Sequence, residues 1–432
     1  MQTKNAASAR RKVYLKAFKF KLYSSKSKKH LWKDLFIATN IYNHCISLHK
    51  RYYKFTGKYL NKFQLQKHLT KLKKRKKHQK WNKLNSQVIQ DITDRIDKGY
   101  KLFFQERAKG NTKIRPPTYK GKRKYRSITF KQTGYKYLGG NRVLIGKKEY
   151  KFFQSREIIG IIKTFTVKKD AVGDWWIIFT CNLPGEYPKP EKYVMLSKIT
   201  GLDLGYMDFL VGDTGNKYQL LPHLKKSLDK RKKCSQSLSR KQKGSNNRKR
   251  ARKKLAKIYR RLGWVRTQSH FDLAYRLLAL YDVIFLETLD LEEHKKRHGK
   301  KIQDLAHASF IITLQYLAKK LGKIVHKIDK WEATSKRCSS CLWKYVDLTL
   351  DERIWTCQKC GVVHDRDVNA GVNIKRVGII DLRALGYEFF ETREERDERV
   401  VGASTNITEV SSTDGKTGPS SAVSAGSRIS RL

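Results

Sequence analysis

The spacing of hydrophobic positions changes several times along the chain, and each change marks an element. Over Lys12–Tyr23, Phe18, Phe20 and Leu22 alternate with lysines, as in a strand with one buried face. From His30 to about Arg107 the spacing becomes helical: Leu31, Leu35, Ala38, Ile41 and Tyr42 recur on one face, then Leu65, Leu69 and Leu72, then Val88, Ile92, Ile96 and Tyr100. Arg115-Pro-Pro117 ends the helices, and strand patterns follow at 127–131, 142–145, 158–167 and 175–183, the last two joined by a turn at Asp170–Asp174. These strands predict a small barrel over 1–25 and 118–192, with a helical domain, 26–117, inserted between its first and second strands.

Further on, the apolar run Tyr193–Ile199 leads into Gly201-Leu-Asp203-Leu-Gly205. Phe209-Leu-Val then reaches a turn rich in Gly, Asp and Asn. Two apolar runs around such turns predict adjacent antiparallel strands, with Asp203 on or just after the first. Leu224–Leu262 reads as helical but carries few apolar residues among its lysines and arginines, so it is no core helix. A basic helix pair lying along nucleic acid fits it better than a coiled-coil arm, since heptads are missing. Tyr281–Leu289 is a continuous apolar run that reads as a buried strand with Glu287 at its end. A helix over 305–321, a strand over 322–329 and a disordered tail over 385–432 complete the pattern.

Charge changes the picture more than any other property of composition. The chain of 432 residues holds 96 Lys and Arg against 38 Asp and Glu, a formal net charge of +58, which points to a polyanionic partner. With 39% hydrophobic residues it is not merely a basic disordered tail. The run Lys71–Lys77 suits phosphate contact. The most apolar helix-like stretch, Phe271–Leu289, carries Asp272, Arg276, Asp282 and Glu287, so no membrane association is expected. The first acidic residue is Asp34, which raises an organellar presequence, but the early strand pattern and the continuing basic bias argue against one.

Candidate chemistry concentrates late in the chain. Cys338-Ser-Ser-Cys341 and Cys357-Gln-Lys-Cys360 have the spacing of two knuckles that converge on one Zn²⁺, whereas Cys45, Cys181 and Cys234 read as unpaired thiols. Four thiolates leave no open coordination position, so the zinc is structural; paired disulfides are the alternative, disfavoured in a reducing compartment. Asp365 and Asp367 follow at once. Asp367 stands where a helix could begin, so an N-cap is its plain explanation. Yet Asp203, Glu287 and Asp367 each fall at a strand end or helix start, where open α/β sheets expose functional side chains.

In this order, Gly-Leu-Asp203-Leu-Gly, Leu-Glu287-Thr-Leu, the four cysteines and Asp365-Arg-Asp367-x-Asn369-Ala-x-x-Asn373-Ile, the chain resembles the RuvC-like nuclease of TnpB proteins. These are transposon-encoded, RNA-guided DNA endonucleases, also called OrfB and related to the miniature type V CRISPR effectors. The resemblance spans roughly 12–376. It implies an α/β RuvC-like (RNase H-like) nuclease domain, 193–336 and 361–384, bearing the basic segment 224–262. It also implies an inserted zinc ribbon, 337–360, and an N-terminal wedge-like β-barrel with a helical recognition insertion.

By resemblance, Asp203, Glu287 and Asp367 are the catalytic, magnesium-binding triad, with Asp365 a secondary candidate. Two Mg²⁺ ions bridged by Asp203 suit phosphodiester hydrolysis. The implied partners are a guide RNA and double-stranded target DNA, in a monomeric ribonucleoprotein of a prokaryotic, nucleoid-associated cytoplasm. Tyr52, Phe63, Gln64, Thr129 and Gln132 are candidates for base contacts. Two positions depart from the family: Leu342 stands where Gly is usual, and Gly371 where Ala is usual, at a cost to a helix of roughly 1 kcal/mol. A miniature CRISPR effector, a catalytically silent guided repressor and a strand-transferring transposase are the competing functions. No HNH-like insertion lies between Asp203 and Glu287, so one nuclease site is expected.

Overall fold

The computed structural model describes residues 13–24, 28–121, 124–205, 208–219, 223–288, 306–349 and 352–396. They fall into two compact units, Met1–Glu186 with Lys230–Arg261, and Tyr187–Asp229 with Leu262–Leu432.

In the first unit, β1 (Val13–Leu22) is followed by three helices, α1 (Lys29–Thr56), α2 (Lys62–Lys73) and α3 (Ser86–Ala108). Six strands follow: β2 (Ser127–Phe130), β3 (Tyr135–Tyr137), β4 (Arg142–Ile145), β5 (Lys148–Phe153), β6 (Ile161–Lys169) and β7 (Trp175–Pro184). They form one antiparallel sheet in the order β2-β6-β7-β1-β5-β4-β3. Phe18, Phe20, Phe152, Phe165 and Phe179 fill its inner face. Tyr135 of edge strand β3 stacks 4.7 Å from Phe165, and Tyr137 lies 5.5 Å from Phe179. The sheet therefore curls until one edge packs over its middle. β2 and β3 are not hydrogen-bonded to each other among the described residues, so the expected barrel is a curled, open sheet. Arg95 of α3 pins the helical insertion to β2, donating to the Ser127 carbonyl and to the Ser127 and Thr129 hydroxyls.

The basic segment is a helical hairpin, α4 (His223–Ser239) and α5 (Asn246–Leu280). Arg248 closes its turn by donating to the carbonyls of Leu238 and Lys241. In the first unit Arg260 of α5 also bonds to Asp170 and Asp174 in the β6–β7 turn.

In the second unit, β8 (Tyr193–Met195) and β9 (Ile199–Asp203) replace the single strand expected from Tyr193, because a 3₁₀ turn at Leu196–Lys198 divides them. Then come β10 (Leu210–Gly212), β11 (Lys217–Tyr218), the remainder of α5, β12 (Val283–Glu287), α6 (His307–Leu321), β13 (Ile324–Ile328), β14 (Ile354–Thr356), β15 (Val363–Asp365), α7 (Arg366–Ala384) and β16 (Glu388–Phe390). The main sheet has the order β11-β10-β9-β12-β13, with β12 parallel to β9 and β13, and β10 antiparallel to β9.

Strand periodicity divides β12 between two layers. Ile284 and Leu286 join Leu273, Leu277, Phe310 and Leu314 of α5 and α6, while Val283 and Phe285 pack with Ile374 and Leu382 of α7. The tail expectation needs correction at its start. β16 pairs in parallel with β8, and half-buried Tyr387 and Phe389 pack on the α7 layer, so strand pairing and these two rings place 387–390 against the fold despite the acidic composition around them. The rest of the predicted tail, 397–432, lies outside the described residues, as do the chain's start and residue 305.

Candidate active site and metal centre

Backbone crowding decides where the carboxylates meet. α7 crosses β9 so closely that a side chain at Gly201 would strike the Gly371 carbonyl, and a Cβ on Gly371 would stand 2.8 Å from the Asp213 nitrogen. Gly371 is therefore demanded by the crossing, which outweighs its helix propensity. Asp203 lies two residues beyond the crossing along β9, about 7 Å at the usual rise, and Asp367 one turn before it along α7, about 6 Å. Lys375 and Thr200 fix the crossing by donating to the Asp213 carboxylate, at 2.9 and 2.6 Å.

Glu287 ends β12, the strand beside β9, where Thr288 donates to the Ile328 carbonyl at 2.7 Å. The three acidic groups then feel one another. Burial, and next the charge of Asp367, push the Asp203 carboxyl up to about 6, against the pull of the Leu204 N–H and of Arg366 and Arg353. Burial and the Asp203 charge push Glu287 up to about 7. Carboxylates held ionised against this repulsion have a standing need for a cation, so the donor set fits hard divalent ions. The carboxylate oxygens are less tightly gathered than the cysteine sulfurs: among the described residues, only the four cysteines form a group of three or more ligand atoms all within 4.8 Å.

The capping role foreseen for Asp367 falls to Asp365, whose carboxylate accepts from the backbone N–H groups of Asp367 and Val368, at 2.9 and 3.1 Å. That leaves the Asp367 side chain available, and Arg353 engages both its oxygens, at 3.1 and 3.2 Å. Arg353 was not foreseen from sequence; the antiparallel pairing of β14 and β15 brings it to Asp367.

The four cysteines meet as expected. Cys338 and Cys360 sulfurs stand 3.7 Å apart and those of Cys341 and Cys357 3.5 Å, near the roughly 3.8 Å that tetrahedral Zn–S bonds of ~2.3 Å require. Burial opposes the Cys357 thiolate, but the N–H groups of Cys360 and Lys359 and the neighbouring thiols bring its thiol down to about 7. The group fits zinc. The Nε2 of buried His364 lies 3.1 Å from the Cys338 sulfur, where an N–H donor would steady a thiolate. The two knuckles turn alike: Leu342 after the first pair has φ 65°, and Gly361 after the second has φ 74°.

Asn369 and Asn373, one turn apart on α7, fasten the first knuckle. Asn369 donates to the Arg337 carbonyl (2.8 Å) and accepts from the Ser339 N–H (2.9 Å), while Asn373 donates to the carbonyls of Thr334 (2.8 Å) and Arg337 (2.6 Å). Their i, i+4 spacing was the sequence signal for a shared face.

The five residues foreseen as base contacts divide. Gln64 completes a capping box with Asn61, and the Thr129 hydroxyl is held between Arg95 and Thr166, so both have internal roles. Phe63 and Gln132 are exposed and Tyr52 half-buried. Cys45 and Cys181 are buried free thiols and Cys234 a half-buried one.

Residues 182–298 match the family described as "OrfB_IS605: Probable transposase", and residues 307–374 the "Cas12f1-like, TNB domain". A Streptomyces pristinaespiralis protein described as "Putative RNA-guided DNA endonuclease" is 27% identical over 84% of this chain and 89% of its own length. The "TnpB-like protein L770" of Acanthamoeba polyphaga mimivirus is 26% identical over 53% of this chain and 46% of its own. The chain is thus similar to proteins named TnpB-like and to putative RNA-guided DNA endonucleases. An Escherichia coli (strain K12) relative described as "Putative RNA-guided DNA endonuclease InsQ" is 21% identical over 84% of this chain and 92% of its own. The fold is that of Cas12f1, seen in a complex with sgRNA and target DNA: TM-score 0.55 at 15% identity, covering 84% of this chain and 99% of that one.

Proposed function

We propose that this chain is a TnpB, a transposon-encoded, RNA-guided DNA endonuclease whose phosphodiester hydrolysis takes place at Asp203, Glu287 and Asp367. One observation carries the reading: burial first, and then the charges of neighbouring carboxylates, raise Asp203 and Glu287 where β9, β12 and α7 bring three acidic groups near one another, in a chain whose net charge is +58. Buried carboxyls raised by desolvation and by neighbouring carboxylates, in a protein this basic, are the kind of group that marks a cation site.

Asp203, Glu287 and Asp367 would hold magnesium, which supplies activation of water and neutralisation of the leaving 3′ oxygen. The chain's own residues do the rest. Burial keeps the carboxylates poorly solvated and therefore avid for cations. The Leu204 N–H orients Asp203 at 2.9 Å. Arg353 holds both Asp367 oxygens and would be within the site to meet the scissile phosphate. Cys338, Cys341, Cys357 and Cys360 would hold zinc and keep Arg353 at the site. The guide would choose the sequence by base pairing, with the protein holding the heteroduplex by its backbone. The protein would work as a monomeric ribonucleoprotein in a prokaryotic cytoplasm.

Sequencing the RNA that copurifies with the protein, expressed beside its native flanking DNA, tests guidance. One species ending in a variable segment is expected, and heterogeneous cellular RNA would favour the transposase reading. Asp203→Ala should lower Mg²⁺-dependent cleavage at least 10³-fold, on the order of the loss when charge stabilisation is removed, and leave RNA and target binding nearly intact. Equal cutting by that variant would refute the assignment.

A further inference from the structure

The first unit contains a basic, aromatic cleft that the carboxylate site does not use. It has a volume of about 560 Å³ and lies between α1, the β6–β7 turn and the opening turns of α5. Trp32 stands in its wall, 42% exposed, although it is large and apolar. The Lys169 ammonium sits 3.1 Å from the Trp32 ring centroid, and Trp175 meets the ring edge-on at 6.0 Å, so the indole is braced in one orientation. Exposed Arg126, Lys249, Arg252 and Lys253 line the same cleft, the last three on one face of α5 within two turns of its N-terminus.

One acidic residue lines it, Asp170, and its charge is already spent. Its carboxylate accepts from the N–H groups of Val172, Gly173 and Asp174, from Trp176 Nε1 and from Arg260. A second cleft of about 480 Å³ adjoins, sharing Asp170, Ala171, Val172, Arg252 and Ala256, and its wall carries Tyr259, 52% exposed. Two exposed rings lining adjoining clefts that share Arg252 offer what single-stranded recognition uses, faces on which bases stack beside a basic track for phosphates.

We propose that this cleft holds an unpaired nucleotide of the bound RNA, with its base against Trp32, its phosphates among Lys249, Arg252 and Lys253, and the adjacent nucleotide toward Tyr259. The assignment rests on the RNA-guided reading above. RNA is the occupant favoured because Lys249, Arg252 and Lys253, exposed together on one face of α5, repel one another unless an anion lies beside them. A resident polyanion relieves that repulsion throughout the life of the complex, whereas target DNA visits only during a reaction. A duplex cannot enter, since its bases are already stacked.

Ultraviolet crosslinking of the full chain with its copurified RNA, followed by peptide mapping, should place ribonucleotide adducts on the peptides of Trp32 and Tyr259. Fluorescence anisotropy with a ten-residue oligouridylate and with a blunt RNA duplex supplies the second readout. Trp32→Ala should weaken oligouridylate binding about 10-fold, within the range for one lost stacking partner, with duplex binding unchanged, and Trp32→Phe should recover much of the loss. Equal oligouridylate affinity in Trp32→Ala and the parent, or adducts absent from both peptides, overturns the proposal; so do adducts at Trp32 formed with added target DNA and not with RNA. If Trp32→Ala also loses duplex binding, Tyr259→Ala and the adduct map on the unaltered protein decide. Adducts at Trp32 from heterogeneous RNA would uphold the cleft and sink the guided reading, so the two fail separately.

Discussion

Leu342 shows how a single residue carries a cost that only comparison within the molecule reveals. Its φ of 65° matches the 74° of Gly361 at the same place in the second knuckle. A branched side chain pays roughly 1–2 kcal/mol for that conformation and glycine almost nothing. Leu342→Gly should therefore stabilise the ribbon by about 1 kcal/mol, read as a later midpoint in chelator-assisted thermal unfolding; an unchanged midpoint would mean that Leu342 recovers the cost by packing. The carboxylates give a second residue-scale prediction. Asp203 near 6 and Glu287 near 7 lie above their ordinary values, so the folded protein without divalent ions loses stability as pH rises from about 4 to about 7. Protons and Mg²⁺ compete for the same oxygens, so cleavage should increase over about pH 5–7.5, and more Mg²⁺ should move the profile toward acid. A profile indifferent to Mg²⁺ would contradict a shared cation site.

At the scale of elements, legibility followed the source of each element's stability. β12 is five apolar residues ended by Glu287, and its burial on both faces could be read directly. β5, Lys148-Glu-Tyr-Lys-Phe-Phe, was missed because charges interrupt its pattern and its pairing with β1 is long-range. β16 was missed because β8, its partner, lies nearly two hundred residues earlier in a chain whose end looks acidic and unstructured. At the site, the three carboxylates and four cysteines were legible as motifs, but Arg353 is one cation among 96 Lys and Arg, and only the β14–β15 register distinguishes it. Asn369 and Asn373 were legible as a motif and silent as to purpose until the carbonyls of Thr334 and Arg337 appeared opposite them. Asn373→Leu would take the nearer donor from the carbonyls of Thr334 and Arg337 and leave them Asn369 alone, at 3.4 and 2.8 Å, a loss of about 1 kcal/mol. Zinc content by metal analysis should stay unchanged while cleavage falls about 10-fold; unaltered cleavage would show that ribbon and helix hold their register without the asparagine.

Over the whole molecule, the formal charge of +58 sets the energetics of association before any specific contact is made. Each single-strand phosphate neutralised contributes about 0.7 to the slope of log affinity against log salt. Replacing Lys249, Arg252 and Lys253 together with Gln should lower that slope for RNA binding by about 2, measured by anisotropy across a salt series. An unchanged slope would remove the opening turns of α5 from the RNA path. The fold tolerates such losses because these side chains are exposed and the helix takes its burial from Leu255, Leu262 and the α6-facing residues beyond.

The returning strand of the ribbon, β15, runs without a linker into α7, and its last residue, Asp365, caps that helix one residue before Arg366 and two before Asp367. Should the four cysteines hold zinc as proposed, losing it would loosen β15 and with it the seat of Arg353 and Asp367. Under the proposed function, protein starved of zinc should still find and grip its target yet leave the strands intact, a temporary roadblock on DNA until the metal supply recovers.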